Sequence, residues 1–176
     1  MPDFILVMVE SIRNFMDLGG PVLYLIAILL VVMWYMILER LMYFRGPHKQ
    51  AVKAAIDQWE SRKERSSWAA HQVRIELVSS VAVKMRDNLP MIQACVALAP
   101  LFGLLGTVTG MIEVFQVMAI NGTSNARAMA GGVSQATVPT MAGMVAALSG
   151  LFLSFWLQRK YEQERELLNE HLTLDH

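Results

Sequence analysis

Three stretches of this 176-residue chain, 18–38, 88–112 and 128–158, contain no Asp, Glu, Lys, Arg or His; they are 21, 25 and 31 residues long. A helix rises about 1.5 Å per residue, so each can cross a hydrocarbon layer of about 30 Å. Inside a bilayer the backbone must satisfy its own hydrogen bonds, which leaves the helix as the form for such segments. A soluble domain of this length rarely hides three uninterrupted runs of this kind. The chain therefore reads as an all-α integral membrane protein with three transmembrane helices and long helical extensions outside them.

Charge sets the orientation. Of the 15 Lys and Arg, ten fall in 39–87 (Arg40, Arg45, Lys49, Lys53, Arg62, Lys63, Arg65, Arg74, Lys84, Arg86) and three in 159–176 (Arg159, Lys160, Arg165). Only Arg13 and Arg127 lie elsewhere. Basic residues hold their segments on the cytoplasmic side, so the N-terminus is expected outside and the C-terminus inside. The resulting division is an outer amphipathic segment (1–17), a first span (18–38), a cytoplasmic helical segment (39–87), a second span (88–112), a short outer loop (113–127), a third span (128–158) and a cytoplasmic tail (159–176). The N-terminal segment has acidic Asp3 and Glu10 and no basic lead, which speaks against a cleaved signal peptide.

Local signals fill in the extramembrane parts. Phe4, Ile5, Met8, Ile12, Phe15 and Met16 recur at helical intervals before Leu18, Gly19, Gly20 and Pro21 turn the chain, with Pro21 suited to the first turn of a new helix. Gly46 and Pro47 mark a break. Val52, Ile56 and Trp59 form one apolar stripe, and Val73, Leu77 and Val81 another, on either side of Ser66 and Ser67. Ser67 is the expected N-cap of a helix from Trp68 to about Arg86. About 50 residues bury little core alone, so these stripes should pack on neighbouring helices or neighbouring copies.

Several kinds of chemistry are excluded by residue type. Basic residues of 39–87 alternate with Asp57, Glu60, Glu64 and Glu76 and have no stacking platform beside them, which argues against nucleic acid as a partner. GGVSQA at 131–136 lacks the second glycine of a nucleophile elbow, and His48, His71, His171 and His176 all lie outside the spans. Cys95 has no metal-binding companion. No enzyme, metal or cofactor follows from this inventory.

What remains is the unusual content of the second and third spans. LFGLLGTVTG, at 101–110, places three glycines and two threonines in a wholly uncharged stretch. Lipid supplies little hydrophobic drive between helices, so small residues that let backbones approach become the packing device. Pro100, Gly103, Thr107 and Gly110 share one face with Gly106 beside them, and Ala136, Thr140, Gly143, Ala147 and Gly150 form a matching face on the third span. Close packing of these two helices is the expectation. Thr107 and Thr140, with Gln135 a turn away, also suggest a polar pathway inside the membrane.

LAPLFGLLGTVTGMI at 98–112 and GGVSQATVPTMAGMVAALSGL at 131–151 resemble the paired signature of the ExbB, TolQ and MotA proton-channel family. The short three-span layout is similar to ExbB and TolQ, and to ExbB most of all, whereas MotA has a fourth span. The resemblance implies a pentamer in a bacterial inner membrane, with the N-terminus periplasmic. Its second and third helices would surround a single-span, ExbD-like, proton-carrying partner, and the work would pass to a TonB-like protein serving outer-membrane nutrient import. A TolQ-like role in envelope integrity through a TolA-type partner, or a non-conducting scaffold, are the other readings. Thr107 and Thr140 match the pore-facing hydroxyls of the family motif. Gln135 stands where ExbB and TolQ chains commonly have a glutamate; an amide hydrogen-bonds but cannot hold that charge.

Overall fold

The computed structural model describes the backbone of residues 2–62, 67–121 and 126–171, with side chains for 5–62, 67–120 and 129–171. Among these residues every regular element is an α-helix: α1 (Pro2–Arg45), α2 (Pro47–Glu60), α3 (Trp68–Arg86), α4 (Leu89–Asn121) and α5 (Ala126–His171). Three helices are long and apolar enough to cross a membrane. Only 28% of each apolar stretch is buried within the chain, which leaves most of that surface for lipid or for other chains.

The chain divides into two compact units, Met1–Trp34 with Ala94–Leu151, and Tyr35–Gln93 with Phe152–His176. In the first, Val22, Leu23 and Ile26 of α1 pack with Ala99 of α4 and Ala146 of α5, flanked by Leu30, Phe102 and Ala147. The expected turn before the first span is a kink at Gly20, whose φ of 64° and ψ of −163° no other residue adopts readily. Pro21 then opens the second piece of α1, where its missing N–H removes nothing. Ahead of the kink the helix begins at Pro2, and Ile5, Leu6, Val7, Met8, Val9, Ile12 and Phe15 are all exposed. The side chain of Phe4 lies outside the described residues.

In the second unit Pro47 starts α2 after Gly46, and Ala55 and Trp59 are buried. Ser67 caps α3 as its position suggested, with extended backbone and its hydroxyl accepting from the N–H of Ala70 at 3.2 Å. Leu77 and Val81 of the sequence-derived stripe are buried together with Ala70, Val78 and Met85, while Val73 is half-buried. Ser66, Lys63, Glu64 and Arg65 lie outside the described residues. Asn88 makes the turn into α4 with a φ of 59°, a left-handed conformation that asparagine tolerates.

One expected boundary differs. The stretch 113–127 was expected to be a loop, yet α4 continues to Asn121 and α5 begins at Ala126. Residues 122–125 lie outside the described residues, as does the side chain of Arg127. Glu113 ends the uncharged run without ending the helix, because a single charge does not break the backbone ladder and no proline or glycine follows before Gly122. The tail expected at 159–176 is likewise helical as far as His171.

Candidate functional site

The small-residue faces of α4 and α5 meet as backbones in near contact. A β-carbon added at Gly103 would lie 3.0 Å from the Thr140 Cα and 3.1 Å from the Pro139 carbonyl oxygen. One at Gly110 would lie 2.7 Å from the Ala136 Cβ, and one at Gly143 would lie 2.6 Å from the Ala99 carbonyl oxygen. At Gly106 it would collide with the Pro139 ring. Glycine is therefore demanded at these positions by the facing helix. Ala136 is buried in the contact and Ala147 is half-buried against the core of α1, α4 and α5.

Pro139 takes a part that sequence reasoning missed. A proline inside a helix ordinarily kinks or loosens it, but α5 runs through Pro139 and its side chain is fully buried. The ring fills the notch left by Gly106. A prolyl ring is a rigid apolar ridge, and the missing N–H is tolerated where a neighbouring helix supports the backbone. The pairing was legible only as two separate oddities, a glycine on one helix and a proline on another.

The polar groups of these helices are handled in two ways. Thr140 donates its hydroxyl proton to the Gly103 carbonyl oxygen, 3.1 Å away on α4. This bond crosses the interface where Gly103 faces the Thr140 backbone. Thr107 instead donates to Leu104 of its own helix at 2.7 Å, and Thr109 shares its proton between Leu105 and Gly106, both at 3.1 Å. The contacts thus join Thr140 to the glycine face, whereas Thr107 stands beside it, half-exposed, with its hydroxyl returned to the backbone. Gln135 is half-buried one residue before Ala136. Ser134 and Thr137, both exposed on α5, extend the polar surface; Thr137 donates to the Ser134 carbonyl at 2.8 Å.

The second unit carries two polar clamps built from residues far apart in sequence. Arg40 is 3% exposed, donates through Nη1 to the Lys84 carbonyl at 2.9 Å and reaches Asp87 through Nη2 at 3.2 Å. Glu39 joins it at 3.4 Å and also accepts from the Asn88 amide at 2.7 Å, so the end of α1 is tied to the α3–α4 turn. Beneath the guanidinium, 5.2 Å away, lies the Tyr43 ring. Burial pushes the Tyr43 phenol above its usual range, against the lowering effect of Arg40.

The other clamp joins α2 to α5. His48, 2% exposed, has Nε2 3.1 Å from Glu164, whose other oxygen accepts from Lys160 at 2.8 Å. Burial alone would raise the Glu164 carboxyl, but hydrogen bonds from Lys160 and His48 outweigh it and hold the group below its ordinary value.

A profile of the MotA/TolQ/ExbB proton channel family matches residues 45–170. The chain belongs to that family. The match takes in the α4–α5 face and most of the clamped unit, and the family is one of membrane proton channels rather than enzymes. Among relatives, the putative biopolymer transport protein ExbB-like 1 of Synechocystis sp. is 40% identical over 73 residues, which is 40% of this chain and 29% of that one. ExbB-like 3 of the same organism is 34% identical over 80 residues, 44% of this chain and 38% of its own length. The biopolymer transport protein exbB1 of Vibrio cholerae is 36% identical over 77 residues, 41% of this chain and 34% of that protein. The chain thus matches about a third of the length of these curated relatives.

Proposed function

We propose that this chain is an ExbB-like channel subunit of a bacterial inner membrane, which with an ExbD-like single-span partner converts proton-motive force into work on a TonB-like protein. The observation that supports the reading is a glycine-sealed helix pair whose apolar stretches, 88–112 and 128–158, are furnished with hydroxyls and amides but hold no Asp, Glu, Lys, Arg or His. Hydroxyls and amides relay protons through water, but none holds one as a titrating site near neutral pH. Moving a charge through the membrane potential is worth about 2.3 kcal/mol per 100 mV, and using it requires a group whose charge changes. That group is assigned to a carboxylate on the partner helix, facing Thr107, Thr140 and Gln135 from within a ring of copies, most simply a pentamer. The distribution of basic residues supports an N-terminus in the periplasm and a C-terminus in the cytoplasm.

Proteoliposomes test the division of labour. The purified chain alone should pass almost no protons under an imposed potential, and flux should appear when a partner with its membrane carboxylate intact is incorporated. Steady proton current from this chain alone would refute the reading.

A further inference from the structure

Between α3 and α5 runs a groove of about 450 Å³ that no described residue fills. Ile75, Ala82, Val83 and Arg86 line its α3 wall, within about 100° of helical arc. Tyr161 and Arg165 of α5 form the other wall, and Arg74 holds the walls together by donating to the Asn169 carbonyl at 2.9 Å. The lining is mixed: polar groups of Ser79, Asn169 and the arginines surround an open apolar strip in which Ile75 is 48% and Val83 67% exposed. Arg86 and Arg165 are exposed on its rims, and neither forms an ion pair with another described residue.

A surface of opposite character lies on the far flank of α5. Glu166 and Glu170 are exposed there with Leu167, itself 48% exposed, between them. At about 100° per residue, Leu167 and Arg165 fall on opposite sides of the buried line through Leu157 and Leu168. A chain therefore cannot fill its own groove with its own acidic edge. A neighbour can.

We propose that the groove receives the edge formed by Glu166, Leu167 and Glu170 of a second copy of this chain. Leu167 enters between Ile75 and Val83, and the two carboxylates meet Arg86 and Arg165. The contact is heterologous, one surface of each copy on a different surface of the next, so it repeats and closes into a ring when the rotation permits. Charge complementarity also fixes the register, since sliding by a turn would leave an arginine on the apolar anchor. The inference rests on the ring assembly proposed above and supplies a surface for it.

Cysteine cross-linking of the full-length chain in native membranes tests the contact, using a Cys95→Ala background. Val83→Cys combined with Leu167→Cys should give an oxidant-dependent ladder of covalent multimers, and either cysteine alone should not. Arg86→Glu with Arg165→Glu should reduce the ladder about tenfold, and adding Glu166→Arg with Glu170→Arg should restore it to within about twofold. That rescue separates a lost contact from a misfolded chain. A double-cysteine chain that stays uncross-linked while native gels show intact multimers would overturn this contact and leave the ring reading standing. A chain that runs as a monomer in native gels would overturn both. Products joining Val83→Cys only to a different membrane protein would assign the groove to that protein instead.

Discussion

Within its two units this protein packs its helices by opposite means. Around Gly103, Gly106, Gly110 and Gly143 contact is made by removing side chains, so that backbone meets backbone and the Pro139 ring meets a bare α-carbon. Around Arg40 and His48 it is made by long polar side chains reaching residues 44 to 116 positions away. The difference follows from the surroundings each sequence is built for. An uncharged helix in lipid gains from close dispersion contact and loses heavily for an unpaired charge, whereas helices reaching water can keep charged ends hydrated while fastening the rest. Stability in the first unit is thus sensitive to added volume, and in the second to removed charge.

The largest effect is expected where the first unit has no room. Gly106→Val would drive a branched side chain into the buried Pro139 ring, costing about 3 kcal/mol, because neither a proline nor the backbone carrying it can step aside. Thermal unfolding in detergent should show a large fall, with Gly131→Val as the control, since nothing lies within 4 Å of a β-carbon there. Equal melting of the two variants would show that the α4–α5 contact is looser than described.

In the second unit the corresponding change is Arg40→Met, which keeps the apolar stem and removes the charge. About 2 kcal/mol should be lost, below the usual figure for breaking a buried pair, because Asp87 and Glu39 are 69% and 38% exposed and stay partly hydrated. Urea titration of the purified chain, or protease sensitivity near the α3–α4 turn, would register the loss. An unchanged midpoint would mean that the Lys84 carbonyl and the two carboxylates are as well satisfied by water.

The acid response distinguishes the units further. Glu164 is held below its ordinary value of 4.5, so its contribution is fully present above that pH and is lost as the pH falls through the depressed folded value. The groups facing it are His48 of α2 and Lys160 of α5, with Lys49 and Lys53 along the same hollow. Glu164→Gln should therefore melt below the parent at neutral pH, with the gap closing under acid. A gap that stays constant or widens as the pH is taken from neutrality to well below 4.5 would contradict the depressed carboxyl.

The smallest stability effect belongs to a change with a disproportionate functional consequence. Thr140→Val deletes one interhelical hydrogen bond, worth about 0.6 kcal/mol in a membrane, and Thr107→Val deletes only a bond to its own helix. Both chains should assemble at parental abundance. Partner-dependent proton flux should nevertheless fall in both if the hydroxyls line the path. Normal flux in both variants would return these threonines to a packing role.

Much of this architecture could be read directly from residue types. Three uncharged runs require three helices because the bilayer permits little else, and Gly20 with Pro21, Gly46 with Pro47, and Ser67 marked real changes of direction because turn and cap chemistry is local. The small-residue stripes of α4 and α5 were likewise visible as periodic patterns. Helix ends were less legible at Glu113, since charge marks where an apolar stretch stops and not where a backbone ladder stops. Tertiary structure alone decided which groups meet: Pro139 with Gly106, Thr140 with the Gly103 carbonyl, Arg40 with the α3–α4 turn, and His48 with Glu164. Periodicity tells which face of a helix a residue occupies, but the height at which two faces engage depends on side-chain volumes summed along both helices. A shift of one turn, about 5.4 Å, would keep every pattern in the sequence and lose each of these contacts.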